Sequence, residues 1–170
     1  MVILKDDEDR IVPRARMQAG IDLCKKNITD FLEDAKLIIH EERLSHAYIS
    51  VQFALEELGK ILVFRNKLEI DQNDPLRITK KEAFQSHKRK TEKVWEFLDP
   101  KFKKIFDEGF FDRAFFEKGF FQTDTYAEYE TRLDCAFVDY YAGNWHVGRD
   151  IKKELLVKLI SHIEEKLPDA

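Results

Sequence analysis

Apolar residues recur three and four positions apart over most of the first hundred residues of the chain. Between Arg14 and Glu41 they fall at Met17, Ile21, Cys24, Ile28, Phe31, Leu32, Ala35, Ile38 and Ile39. That spacing gathers them on one stripe of an α-helix and turns the charged residues to the other side. Pro13 suits the helix start, because its fixed φ and missing N–H cost nothing in a first turn. After a short break the pattern resumes from about Leu44 to Ile70, with Val51, Ala54, Leu55, Leu58, Ile61 and Leu62 inward. Two long helices joined by so short a break predict an antiparallel pair.

Asp71-Gln-Asn-Asp-Pro75 reads as a turn, since Asp, Asn and Pro together favour turn geometry over helix. Thr79 with Glu82 three residues on forms a capping box, which predicts a third helix to about Leu98, stopped by Asp99-Pro100. Ala83, Phe84, His87, Val94 and Leu98 share its apolar stripe. A fourth helix is expected over about 126–142, with Thr125 as its cap. Gly143-Asn-Trp-His-Val-Gly148 breaks the chain, and a fifth helix is expected from about Asp150 to Leu167, with Ile151, Leu155, Leu159 and Ile163 inward.

Residues 101–125 follow neither period. Phe102, Phe106, Phe110, Phe111, Phe115, Phe116, Phe120 and Phe121 crowd this segment, the last six as doublets that recur every five residues, which no single helix or strand face collects. Two readings stay open: an insert that fills the core, or a surface for a second copy or a partner. No strand pattern stands out. The expected fold is all-α: one domain over 1–170, a bundle of about five helices with an N-terminal arm at 1–13, a Phe-rich insert and no sheet.

Composition supports that reading and narrows the function. The 170 residues suffice for one core, and six Gly and four Pro are few for a β-rich chain. The net charge of −4 argues against general attraction to nucleic acid, although the 29 Lys and Arg leave room for local basic patches. Cys24 and Cys135 lack partners at metal spacing and read as small apolar residues of a reducing compartment. No apolar run approaches membrane-spanning length and the start of the chain is charged, so a cytoplasmic protein without membrane contact is expected. No Gly-rich phosphate loop, His-Glu-x-x-His, Cys-x-x-Cys or Glu-x-x-His occurs. Glu42 and His46, four apart, are too little for a metal site, so neither metal nor cofactor is expected.

The polar residues on apolar faces carry the chemistry. On the second helix His46, Ser50, Phe53, Glu57, Lys60 and Phe64 share a flank, and Glu56 also reaches Lys60 one turn on. Such a set is ordinarily a surface ion pair of small worth. Gly59 changes that picture. A glycine inside a strong helix costs about 1 kcal/mol against alanine, so a helix or a ligand is expected to approach the backbone there. His87 sits among apolar neighbours with Lys90 one turn on and Lys88 and Arg89 beside it. It is either a core histidine satisfied by a carbonyl or carboxylate, or a proton-transfer group whose charge a nearby glutamate supports while the cations hold a phosphate. Tyr140 and Trp145 either seal a bundle end or stack on a base.

Ser45-His-Ala-x-x-Ser-x-x-x-Ala-Leu-Glu-Glu-Leu-Gly-Lys60, then His87-x-x-Lys90, then Asp139-Tyr-Tyr-x-x-x-Trp145 together resemble the AbiV-type abortive-infection family, placed in the HEPN superfamily of helical bundles. The resemblance covers about residues 15–150 and implies a compact bundle, often dimeric, in bacterial defence against phage. Many HEPN proteins are metal-independent ribonucleases. Their usual motif, Arg and His separated by four to six residues, is absent here, so that nuclease site is not carried over.

Two functions follow as expectations. In one, the protein acts on RNA or translation through a polar site between the second and third helices. His87 is then the acid or base, Lys60 and Lys90 hold phosphate, Glu56 or Glu57 orients His87, and Lys88, Arg89, Tyr140 and Trp145 bind RNA or a partner. In the other, it is a non-catalytic module that binds a phage or host protein as a homodimer, with Phe110, Phe111, Phe115, Phe116, Phe120 and Phe121 at the interface. A polar cluster that merely fixes the bundle's register is a further use of the same residues.

Overall fold

A computed structural model of the chain describes residues 10–79, 83, 87–99, 138–141, 144–147 and 151–170. The described residues are mostly helical. In chain order they form β1 (Arg10–Val12), α1 (Arg14–His40), α2 (Leu44–Ile70), β2 (Leu76–Ile78), α3 (His87–Leu98), β3 (Val138–Tyr141), β4 (Asn144–Val147) and α4 (Lys153–Lys166), followed by a 3-10 turn.

The helices α1 and α2 make the scaffold. Met17, Ile21, Cys24, Ile28, Leu32, Ala35 and Ile39 are buried along the stripe that the period predicts for α1, while Phe31 and Ile38 are half-buried at its edge. α2 is buried on more than one side, from Ala47 and Tyr48 to Val63 and Phe64, as befits a helix covered by α1, α3 and α4. Between α1 and α2, Glu42 takes a left-handed φ of 58°. The N–H of Arg43 donates to the Ile38 carbonyl and that of Glu42 to the Ile39 carbonyl. This is a Schellman end, with glutamate where glycine is usual.

The far end of the hairpin is tied by Arg14. Its guanidinium donates through Nη1 to the Asp71 carbonyl at 2.6 Å and through Nη2 to the Leu68 carbonyl, satisfying oxygens that the last turn of α2 leaves open. The Arg14 backbone N–H donates to Asp74 Oδ1 at 2.9 Å, so the turn after α2 caps the start of α1. The two helices are therefore antiparallel, as expected.

α3 packs on α2, and α4 touches α1, α2 and α3. Ile151, Leu156, Leu159, Ile160 and Ile163 are buried, whereas Leu155 is half-buried. His162 of α4 donates a ring N–H to the Leu98 carbonyl at 2.6 Å and so closes the end of α3.

The expectation of no sheet is corrected by two small antiparallel ribbons. β1 pairs with β2, Ile11 opposite Arg77, so residues 10–12 of the expected arm are a strand. The Arg14 and Asp74 contacts bring these segments side by side, and a three-residue strand is too short to show alternation in sequence. β3 pairs with β4, Tyr140 opposite Trp145. Thus Val138–Tyr141 is strand where the end of the fourth helix was expected, and the Gly-bounded segment holds a strand. Aromatic and β-branched residues in Val138-Asp-Tyr-Tyr and Asn144-Trp-His-Val fit a pleated pair. Residues 126–137, the Phe-rich insert and the Thr79 capping partner Glu82 lie outside the described residues. Four helices are present among those described, against about five expected.

Candidate functional site between the second and third helices

Gly59 is buried on α2 and faces α3. A Cβ built on it would stand 2.6 Å from the Lys90 Cβ and 3.0 Å from both the Lys90 Cα and carbonyl oxygen. These atoms belong to the α3 backbone or its first side-chain atom and cannot swing aside. The expected close approach at Gly59 is therefore made by a helix, and the absent side chain is what lets α3 settle onto α2.

That crossing places Lys90 inside. Its side chain is 1% exposed, and its ammonium lies 3.6 Å from Glu56 Oε2, with Glu56 18% exposed. Burial holds the Lys90 ammonium below the ordinary lysine range. Glu56 pulls in the opposite direction, and Lys60 nearby adds to the lowering. One residue further along α2, Glu57 Oε1 accepts from Lys60 Nζ at 2.5 Å. Here the exposures are 14% for Glu57 and 23% for Lys60, so this pair lies at the rim. Lys60 pairs with Glu57 rather than with Glu56, to which helix spacing equally entitled it.

A third helix also reaches the rim pair. Cys24 of α1 is buried beside Glu57, and its thiol is pushed up to about 12, first by burial, then by hydrogen bonding to Glu57 and that carboxylate's charge, with Lys60 opposing. A thiol so placed stays protonated at neutral pH and is unreactive. Sequence reasoning treated Cys24 only as a small apolar residue. The signal that could have found it is the short turn between α1 and α2, because residues equally far from a turn in an antiparallel hairpin stand opposite each other. Gly20 against Phe64 and Phe31 against Phe53, at a ring separation of 5.5 Å, set that register, which puts Cys24 opposite Lys60 and one turn from Glu57.

The structure thus brings Glu56, Glu57, Lys60 and Lys90 into one cluster. His87 begins α3, one turn before Lys90, with Lys88 and Arg89 between them. The side chains of His87, Lys88, Arg89, Tyr140 and Trp145 lie outside the described residues, as do Phe110, Phe111, Phe115, Phe116, Phe120 and Phe121. Tyr140 and Trp145 are cross-strand partners in the β3–β4 ribbon, away from α2 and α3 in sequence. Among the described residues no group of His, Cys, Asp and Glu is arranged to hold a metal ion. No described helix is long and apolar enough to cross a membrane.

The Glu-Glu-x-Gly-Lys segment of one helix is thus packed on the His-x-x-Lys stretch of another within a helical bundle. The chain matches the HEPN_AbiV family, described as AbiV, over residues 16–167, and it belongs to that family. The match takes in α1 from its third residue, all of α2, α3 and α4, and all four residues of the cluster. No curated protein and no solved structure matches the chain.

Proposed function

We propose that the protein is an abortive-infection effector that acts on RNA through the rim of the α2–α3 site. Membership in the AbiV family supports the phage-defence part of this reading. The observation that carries the rest is the Glu57–Lys60 pair, half-buried on α2 beside the helix that begins with His87. Lys60 contacts a phosphate of the target, Glu57 holds Lys60 in place, and His87 moves the proton. Lys88 and Arg89 add positive charge at the same end of α3. Cleavage of RNA by this route needs a 2′-hydroxyl, a base and a stabilised phosphate, and no metal.

A second reading has its own support. Each lysine of the cluster already faces a carboxylate, and the chain carries net charge −4, so an incoming phosphate must displace an internal partner. On that reading the protein is a binding module for a phage or host protein, dimeric through the Phe-rich insert, and it interferes with translation by binding alone.

The test is phage protection, with degradation of total RNA by the purified protein, for wild type, His87→Ala and Lys60→Met. Loss of an acid–base group costs roughly 10²–10⁴ in rate, so RNA cleavage and protection disappear together in folded His87→Ala. Full protection by that variant overturns the catalytic reading. Phe115→Glu with Phe120→Glu tests the alternative: a monomeric, folded variant that still protects removes the interface.

A further inference from the structure

Lys90 was expected to hold phosphate, yet its surroundings suit a different task. Its side chain is almost wholly buried and its tip faces Glu56, so it offers little to an outside ligand. Its Cβ, Cα and carbonyl oxygen fill the notch left by Gly59. Both contacts depend on one placement of α3. A slip of one residue moves a helical position about 1.5 Å along the axis and about 100° around it. Such a slip takes the ammonium away from Glu56 and thrusts a different side chain at Gly59. A buried charge that gains little net stability can still select one packing over its neighbours.

We propose that Lys90 is a positioning residue: clamped to Glu56 at the Gly59 crossing, it fixes α3 on α2 and so sets where His87 stands relative to the Glu57–Lys60 pair. The inference rests on the reading that His87, Glu57 and Lys60 form the working site. His87 precedes Lys90 by three residues on the same helix, about 4.5 Å along its axis, so any turn or slide of α3 is passed directly to it.

Three variants of the full chain test this: Lys90→Met, Lys90→Arg and Gly59→Ala. Each is followed by the ¹H–¹³C resonance of the His87 ring, assigned by its loss in His87→Ala, by circular dichroism for helix content and by phage protection. Lys90→Met and Gly59→Ala are expected to keep their helices, to move the His87 resonance and to lose protection. Lys90→Arg, which restores a cation to Glu56, is expected to return both towards wild type. Gly59→Ala keeps every charge and decides the matter where Lys90→Met does not fold. A folded Lys90→Met or Gly59→Ala protein with an unmoved His87 resonance overturns the proposal. Loss of protection in Lys90→Met without movement of that resonance also overturns it, because Lys90 then acts directly. Full protection by His87→Ala strikes the site reading instead, and the His87 region in the Lys90 and Gly59 variants still reports whether α3 has been displaced.

Discussion

Glu56 and Glu57 are neighbours in one helix, carry the same side chain and each face a lysine, yet their pairs sit in different environments. Glu56 meets Lys90 of α3 across a helix crossing where Lys90 is 1% exposed, whereas Glu57 meets Lys60 of its own helix at a rim where Lys60 is 23% exposed. The 100° turn between successive helical residues separates them: one carboxylate points under α3 and the other towards the edge beside Cys24. Identical chemistry in adjacent positions is therefore set in two surroundings. The sealed pair joins two helices, and the rim pair lies within one helix and is the more exposed at its lysine.

The largest effect expected is from Glu56→Leu, which leaves the buried Lys90 ammonium without its carboxylate at the crossing. The loss should be about 3 kcal/mol, the low end for a broken buried pair because Glu56 itself is partly exposed. Adding Lys90→Met to that variant should recover the loss, since an apolar pair of similar size needs no desolvation. Urea denaturation of the two variants measures both, and a double variant no more stable than the single one breaks the contrast between sealed and rim pairs.

Gly59→Ala should cost about 1–3 kcal/mol by overpacking, against a gain of about 1 kcal/mol that the same change brings in an unobstructed helix. A stabilised variant in the same denaturation assay would mean that α3 does not crowd Gly59. The rim pair should respond far less. Lys60→Met is expected to change stability by no more than about 1 kcal/mol, while removing phage protection if Lys60 contacts the target. A variant that loses stability as steeply as Glu56→Leu would show that both pairs are structural.

The smallest effect concerns Cys24 and appears only in alkali. Its thiol is raised from 9.0 to about 12, so the folded chain holds that proton where the unfolded chain releases it. The stabilisation is fully present below pH 9 and is lost as pH rises from 9 through 12. Lys90 acts with the opposite sign, because a lowered lysine favours the neutral form in the fold. Its charge penalty is greatest below its folded pKa and is relieved as pH rises towards 10.5. Comparing wild type with Cys24→Ala across pH 8–11 should show a flatter decline in the variant. At neutral pH the native thiol should resist iodoacetamide, and rapid alkylation of native Cys24 would place it outside the interface.

The two long helices, the short break between them, the turn at 71–75 and a close approach at Gly59 were legible in the residues alone. A sustained 3.6-residue period, a helix-breaking cluster and a glycine where alanine is preferred are local signals, and each survives folding because it depends on nearby positions. The AbiV resemblance was equally legible, since it resides in Ala54-Leu-Glu-Glu-Leu-Gly-Lys60 and the blocks after it, and the family match bears it out. Tertiary structure decided the rest. Spacing alone allowed Lys60 either glutamate; the approach of α3 presents Lys90 to Glu56, and Lys60 pairs with Glu57. The β1–β2 ribbon depends on Arg14 and Asp74 drawing distant segments together, and the β3–β4 ribbon on pairing that no helical period forecasts. Cys24 acquires its neighbour only when α1 folds back along α2. Periodicity along one element reports which face is apolar, but the partner of a polar side chain is set by whichever element arrives opposite it.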